Sequence, residues 1–350
     1  MKNQTQIIKI SPLEPDMNAI HQAADLIQKG QLVAFPTETV YGLGADAFNS
    51  MAVQTIFSVK QRPSSDPLIV HIQDINEINL VAQNIPDIAM TLANHFWPGP
   101  LTFILEKHST IPLSVTAGGK TVAVRLPAHP IAQLLIKESS CPIAAPSANR
   151  FSRTSPTLAD HVYDDLCGKI PLIIDSGPTD IGIESTVIDL TQSPPRILRP
   201  GGVPYEELLS FVPDVLVLEQ YLDSQKDSQQ SPGQLFKHYS PNARLLLFSG
   251  NQHRDVLFSI EKKVDQLLTT NQTVAIMMTD EDAALFNNKG ILKKLGSVHH
   301  LDIMGKKLFA SMRAFDSQGV DYILVKMPPK NGLGRALQDR LIRAADEVIQ

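Results

Sequence analysis

The sequence predicts an α/β protein of two domains: a larger one built on a mixed sheet, then a smaller one with a largely parallel sheet. Three observations carry this. The chain has 350 residues, beyond the roughly 100–200 of one ordinary domain. Short apolar runs alternate with amphipathic stretches of helical period. Residues 218–242, "LEQYLDSQKDSQQSPGQLFKHYSPN", turn abruptly to Ser, Gln, Asp and Pro, the composition of a linker. The expected boundaries are 1–215, a linker or lid over 216–242, and 243–350.

Taken in order, "MNAIHQAADLIQKG" reads as an amphipathic helix closed by Gly30, and "QLVAFP" as a short strand. Helices follow at "MAVQTIFSVK", "DIAMTLANHF", "HPIAQLLIKES" and "TLADHVYDDL". Strands are predicted at "PLIVHI", "LTFIL", "TVAVRLP", "PLIID", "STVIDL" and "RILRP". Several of these strands succeed one another without a helix between them, so the sheet is expected to be mixed. Beyond the linker, "ARLLLFSG", "TVAIMMTD" and "YILVKM" read as strands. Segments such as "DIMGKKLFASMRAF" and "LGRALQDRLIRAADEVI" read as helices between or after them.

Composition narrows the function. No apolar run approaches the ~18 residues of a membrane span, and "MKNQTQIIKISPLEPD" lacks the apolar core of a signal peptide. With only two cysteines, Cys141 and Cys167, a reducing cytoplasmic setting is expected. A net charge of −5 argues against a surface that coats nucleic acid throughout, leaving room for a local basic groove.

Three familiar nucleotide and metal signatures fail. "GGKTVAV" ends like a phosphate loop, but Ser114 stands where glycine is needed and a strand follows instead of a helix. Gly42, Gly44 and Ala47 satisfy a loose dinucleotide fingerprint, but the polar "TETV" separates them from the strand, so a structural turn is the reading. No His-Glu-x-x-His or paired-cysteine spacing is present, and His299 and His300 are adjacent. No metal cage is expected.

What remains is a scattered set of polar residues at strand ends and in small-residue loops. Thr37, Glu38 and Thr39 lie between a strand and two glycines, as a capping turn or a ligand loop would. Lys60 and Arg62 end a helix, where cations complement the helix dipole or meet an anion. His71 falls within a buried strand, where a satisfied core histidine is the plainer reading. Arg125 interrupts an apolar strand and must have a partner, either a protein carboxylate or an anionic ligand. "PIAAPSANRFSRTSP" supplies Ser147, Asn149, Arg150, Ser152, Arg153 and Ser155, donors suited to phosphate and ribose. Ser185 and Thr186 open a strand, and Arg199 precedes a Pro-Gly-Gly turn. Cations and hydroxyls abound without a nucleophile, base and orienting acid, an inventory suited to positioning an activated phosphate.

These residues carry a resemblance. "FPTETVYGLG", the Lys-x-Arg of "KQRP", "PLIVHI", "FWPGPLT", "VAVRLP", "PSAN", "SGPTDIGIESTVIDL" and "ILRPGG" occur in the order and spacing of the threonylcarbamoyl-AMP synthase family, in its longer two-domain form. The resemblance implies a YrdC-like catalytic domain followed by a Rossmann-like α/β domain. It also implies the reaction: L-threonine, bicarbonate and ATP give threonylcarbamoyl-AMP and pyrophosphate, and another protein transfers the threonylcarbamoyl group to tRNA beside the anticodon.

By the same resemblance Thr39, His71, Arg125, Ala145 and Ser185 hold threonine. Lys60, Arg62, Asp66, Thr121, Ser147, Asn149, Ser155, Arg199 and His238 serve ATP, with Lys60, Arg62, Ser147 and Asn149 acting on the reaction itself. Mg²⁺ would come with ATP, bound through its phosphates. Asp66 departs from the asparagine of many relatives, which puts its nucleotide contact in question. His238 or Tyr239 is expected to reach back over the ATP site. The competing readings are a non-catalytic, weakly RNA-binding module of the same fold, and the carbamoyl-transfer enzymes of hydrogenase maturation, whose cysteine pattern is missing here.

Overall fold

The computed structural model describes residues 4–218 and 238–350. Most of the predicted linker therefore lies outside the described residues. The chain forms two compact units. One holds the residues up to Phe151 and those from Ser155 to the end of the first sheet. The other holds Ser152–Thr154 and everything from His238 onward.

The first unit opens with β1 (Gln6–Lys9) and α1 (Met17–Gln28). Asp16 caps α1 by accepting from the Asn18 amide, and Gly30, at φ +73°, takes the left-handed conformation that ends it. Next come β2 (Val33–Phe35), β3 (Gly42–Asp46) and α2 (Ser50–Lys60). β4 (Ile69–His71), α3 (Ile78–Val81), β5 (Ala82–Gln83), α4 (Asp87–Phe96), β6 (Leu101–Lys107) and β7 (Thr121–Arg125) follow. The unit continues through α5 (Pro130–Ser139), β8 (Ile143–Ala144), α6 (Ala159–Leu166), β9 (Leu172–Asp175) and β10 (Thr186–Asp189). It closes with β11 (Arg196–Arg199), α7 (Tyr205–Leu209) and β12 (Leu216–Val217).

These strands form one mixed, twisted sheet in the order β1-β9-β2-β3-β8-β4-β7-β6-β10-β11-β12, with β5 paired to β6. Strand alternation divides two cores across it. Val33, Phe35, Leu172 and Ile174 face α1 and α5, while Ala34 and Ile173 face the larger cluster with Ile56, Val70 and Val124. The small side chains Ala19, Ala23 and Ala24 lie on the buried stripe of α1 that packs there.

The second unit comprises β13 (Arg244–Phe248), α8 (His253–Thr269), β14 (Val274–Met278), β15 (Ile291–Lys294), α9 (Leu301–Ser317), β16 (Tyr322–Lys326), α10 (Gly334–Ala344) and β17 (Glu347–Ile349). All its strand pairs are parallel, in the order β15-β14-β16-β13-β17.

Two expectations need correction. "YGLGADA" is not a turn: Gly42–Asp46 is strand β3, antiparallel to β2 with Phe35 opposite Gly42. Its glycines serve packing, for a Cβ on Gly44 would stand 2.7 Å from Ile143 Cγ2 and 2.8 Å from Phe35 Cε1. The last predicted helix is also too long. α10 stops at Ala344, and Glu347–Ile349 pairs with β13 as β17. Strand pairing overrides the weak helical continuation there.

Gly44→Ala should destabilise the first unit by about 1–3 kcal/mol through overpacking. Urea unfolding of wild type and variant measures it.

Candidate active site

The site is organised by the parallel pair β4–β7. Their register sets Ile69 against Ala123, Val70 against Val124 and His71 against Arg125. Residues level in such a ladder point to the same face, so His71 and Arg125 are neighbours at the carboxyl end. Thr121 begins β7, about 13 Å back along the strand. The amino end of β4 is reached from Pro67, whose carbonyl accepts from Arg62 Nη2 at 2.9 Å. Arg62 and Asp66 therefore gather at the same amino end as Thr121.

β8 runs antiparallel to β4, with Val70 opposite Ala144. The Ala145 amide donates to the Ile69 carbonyl at 2.9 Å. The chain then heads through Ser147 and Asn149 toward the amino ends. "FPTETVYGLG" holds this loop on one side: Ala148 N donates to Tyr41 O, and Gly42 bridges Ser147. On the other side Ile181 N donates to Glu38 O and Gly182 N to Thr39 O, pinning the loop that precedes Ser185. One short segment thus sets the positions of two loops.

At the carboxyl end, Arg125 is 3% exposed and carries a carboxylate from the protein itself. Its Nη2 lies 2.6 Å from Glu38 Oε1, its Nη1 donates to Thr39 Oγ1 at 3.0 Å, and its Nε donates to Gly99 O. The ion pair is not aligned as a hydrogen bond, since both Glu38 oxygens and Arg125 Nη2 are buried without an aligned partner. Close by, Ser185 Oγ shares a hydrogen bond of 2.8 Å with Thr102 Oγ1. Arg199 donates through Nη2 to Ser185 O at 2.9 Å and to Ser185 Oγ at 3.1 Å. Ser155 Oγ donates to Glu184, the residue before Ser185. A Cβ on Gly201 would stand 2.3 Å from Ser185 C, so the Pro-Gly-Gly turn lies flat on that peptide.

At the other end the cations are equally engaged. Lys60, 1% exposed, directs its ammonium to the carbonyls of Ser147 and Asn149 and fixes the "PSAN" loop. Ser147 Oγ donates to Asn149 Oδ1. Asp66 is fully buried, its Oδ2 2.9 Å from Arg62 Nη2. Asp66 is thus a counter-ion of Arg62.

His71 is a buried neutral ring. Burial first, and the Arg125 charge second, push its pKa down to about 3. The ring meets Phe35 edge-on at 6.4 Å. His129, also buried, is shifted down by desolvation.

The predicted residues therefore fall into two groups. Around the carboxyl end lie Arg125 with Thr39 and, level with it, His71, and also Ser185 with Arg199 and, through Glu184, Ser155. Lys60, Arg62, Asp66, Ser147, Asn149 and Thr121 stand toward the amino end, with Ala145 between, beside Ile69. His238 belongs to the second unit, where its amide donates to Arg343 O and its ring stands edge-on to Tyr239 at 4.1 Å. Sequence reading placed Glu38 with Thr37 and Thr39 in a capping turn or ligand loop without a specific role, and assigned none to Glu184 or Thr102. Glu38 was visible as the single charged residue of "FPTETVYGLG", and Glu184 as one of three acidic residues in "SGPTDIGIESTVIDL".

Comparison with known proteins identifies the family. Residues 25–201 match the Sua5/YciO/YrdC family model, described as telomere recombination. Residues 203–346 match the model of the threonylcarbamoyl-AMP synthase C-terminal domain. The threonylcarbamoyl-AMP synthases of Pyrococcus abyssi and Bacillus subtilis are each 42% identical to this chain, over 93% of it and 94% and 92% of their own lengths. The chain belongs to the threonylcarbamoyl-AMP synthase family. The crystal structure of P. abyssi Sua5 complexed with L-threonine aligns at a TM-score of 0.92 and 40% identity, over 99% of both chains. The YrdC-like architecture, the Sua5-type C-terminal domain and the enzyme class follow from that membership.

Removing one member of the buried pair should be costly. Arg125→Met should destabilise by about 3–5 kcal/mol by leaving Glu38 uncompensated, and adding Glu38→Gln should recover most of it. Urea unfolding of the two single variants and the double measures both. His71 adds a pH dependence: folded it is neutral down to about pH 3, whereas unfolded it protonates near its ordinary value of about 6.5. Its contribution to stability is complete above that value and is lost as pH falls from about 6.5 toward 3. His71→Asn should flatten the stability profile across that window.

Proposed function

We infer that this chain condenses L-threonine, bicarbonate and ATP into threonylcarbamoyl-AMP with release of pyrophosphate, the first step of threonylcarbamoyladenosine formation beside the tRNA anticodon. The observation that carries the reading is Arg125. It is a buried guanidinium at a strand end that already holds one carboxylate beside the hydroxyl of Thr39, level with a neutral His71. A second carboxylate can take the same place in the bidentate geometry guanidinium favours.

In this reading threonine exchanges for Glu38 on Arg125, with Thr39, His71, Ala145 and Ser185 around it. Its amino group attacks the bicarbonate carbon and water leaves, giving a carbamate; a carbamate oxygen then attacks the α-phosphate of ATP, and the bond to the β-phosphate breaks with release of pyrophosphate. ATP spans the two groups of residues. Thr121, Arg62 and Asp66 lie toward one end, Ser155 and Arg199 toward the other, and Ser147 and Asn149 lie on the loop fixed by Lys60. The cations counter charge that develops on the phosphates. The nucleophile is made from substrate, which matches an inventory without a protein nucleophile.

Mg²⁺ would enter on the phosphate oxygens of ATP and neutralise part of their charge. Among the described residues no group of three or more His, Cys, Asp or Glu gathers to hold it. The product would pass to a tRNA threonylcarbamoyl-transferase protein, and the setting would be cytoplasmic. Among the described residues no helix is long and apolar enough to cross a membrane.

Pyrophosphate release should require threonine and bicarbonate together with ATP; release indifferent to threonine would remove the assignment. Arg125→Lys should raise the KM for threonine at least about tenfold, the cost of losing ~1.4 kcal/mol of bidentate contact. The KM for ATP should change little, and steady-state kinetics with each substrate varied separates the two.

A further inference from the structure

The second unit holds a cavity of its own. In its sheet β13 and β16 are neighbours, in register from Arg244 opposite Tyr322 to Phe248 opposite Lys326. From the carboxyl end of β13 the chain enters α8 and returns as β14, on the far side of β16. From the carboxyl end of β16 it enters α10 and returns as β17, on the far side of β13. With right-handed crossovers, two connections leaving in opposite directions put their helices on opposite faces. A crevice opens between the two strand ends, the position where open α/β sheets take ligands. A cavity of about 600 Å³ lies there, and a second of about 260 Å³ lies along the same Phe248–Asn251 loop. The larger is of the size that holds a nucleotide-sized molecule.

Its lining has three kinds of wall. The first is a donor wall. β13 runs into Ser249, Gly250 and Asn251, and α8 then starts at His253 with no side-chain cap from Gln252, which leaves first-turn amides unpaired by any cap. Gly250 keeps that turn tight, since a Cβ on it would stand 2.9 Å from Val256 Cγ2. Beside the turn, Lys326 and His253 converge on buried Asp282. His253 Nε2 lies 2.9 Å from Asp282 Oδ1, Lys326 Nζ contacts Oδ2, and Nζ lies 3.2 Å from His253 Nδ1. Thr279 Oγ1 donates to the same carboxylate at 3.2 Å.

The second wall is acidic. Glu281 accepts from Ser297 Oγ, and these contacts hold its pKa down to about 2. It stays an acceptor at any physiological pH. The third wall is apolar, from Met327, Pro328, Pro329 and Val298. A charged cluster at the edge of a core adds little to stability compared with apolar side chains of the same volume. Its position at the crevice gives it a different use.

We propose that this crevice is a second small-molecule site, for a nucleoside phosphate. Phosphoryl oxygens accept from the first-turn amides of α8 and from Lys326, whose ammonium is held in place by His253 Nδ1. Ribose hydroxyls donate to Glu281, and the base lies on the Met327–Pro329 wall. Lys326 faces Asp282 and Glu281, and Asp255 stands in the first turn of α8, so recognition rests on directed hydrogen bonds and not on a positive net charge. The inference concerns the second unit alone and stands or falls separately from the reaction assigned to the first.

Hydrogen–deuterium exchange of the full-length protein locates binding segment by segment and tests it. AMP and ATP should each slow exchange over 249–256 and 326–329, and inorganic pyrophosphate should do so less well. His253→Ala, at a largely exposed side chain, should raise the AMP concentration for half-protection at least about tenfold. The paired variant Lys326→Met with Asp282→Asn, which removes both charges and leaves neither buried alone, should raise it as much. Absence of protection in these two segments with millimolar AMP, ATP and pyrophosphate would overturn the site. Protection unchanged in both variants would overturn it too, and pyrophosphate protecting as well as AMP would overturn the nucleoside part.

Discussion

A charge taken out of water must find a partner, and in the first unit that constraint decides how the loops are placed. Lys60, Arg62, Arg125 and Arg199 are all buried, and an unpaired cation there would cost several kcal/mol. Each is answered by a loop. Lys60 takes the carbonyls of Ser147 and Asn149, Arg62 takes Asp66 and Pro67, Arg125 takes Glu38 and Thr39, and Arg199 takes Ser185. Segments far apart in sequence are thereby tied to the ends of β4, β7 and β11. The mixed sheet supplies the rigid frame, and the cations convert loose loops into fixed surfaces.

Much of this was legible in the chain. An arginine inside the apolar run "TVAVR" had to have a partner, and a protein carboxylate was one of the two partners allowed. The helices at 87–96 and 130–139 were written in their apolar period, and "TVAVRL" as a strand excluded the phosphate loop. Less legible was what depends on neighbours distant in sequence. Gly42 and Gly44 look like a turn locally, but Phe35 and Ile143 fill the space a side chain would need, which makes the segment a strand. β17 was hidden because its three residues become a strand only by pairing with β13. Glu38 and Glu184 were visible as residues, but no local signal links Glu38 to Arg125, 87 positions later, or Glu184 to Ser155, 29 positions earlier.

The two units illustrate two ways of building a site. In the first, side chains at the ends of β4 and β7 and loops tied down by cations come together on a mixed sheet of parallel and antiparallel pairs. In the second, an all-parallel sheet produces a crevice by topology alone, wherever neighbouring strands send their helices to opposite faces. The first arrangement depends on particular ion pairs. The second depends on strand order, and its side chains are free to specify what is held.

In the inferred reaction, the pairing of Glu38 with Arg125 has a consequence for affinity. A guanidinium that already carries a tethered carboxylate presents every incoming acid with an internal competitor at high effective concentration. Occupancy then reflects an exchange between two carboxylates rather than the filling of a vacancy. The apparent affinity is lowered by the fraction of time Glu38 is in place. Such a site responds in a higher concentration range than its contacts alone would set, and the same glutamate keeps the arginine satisfied between turnovers.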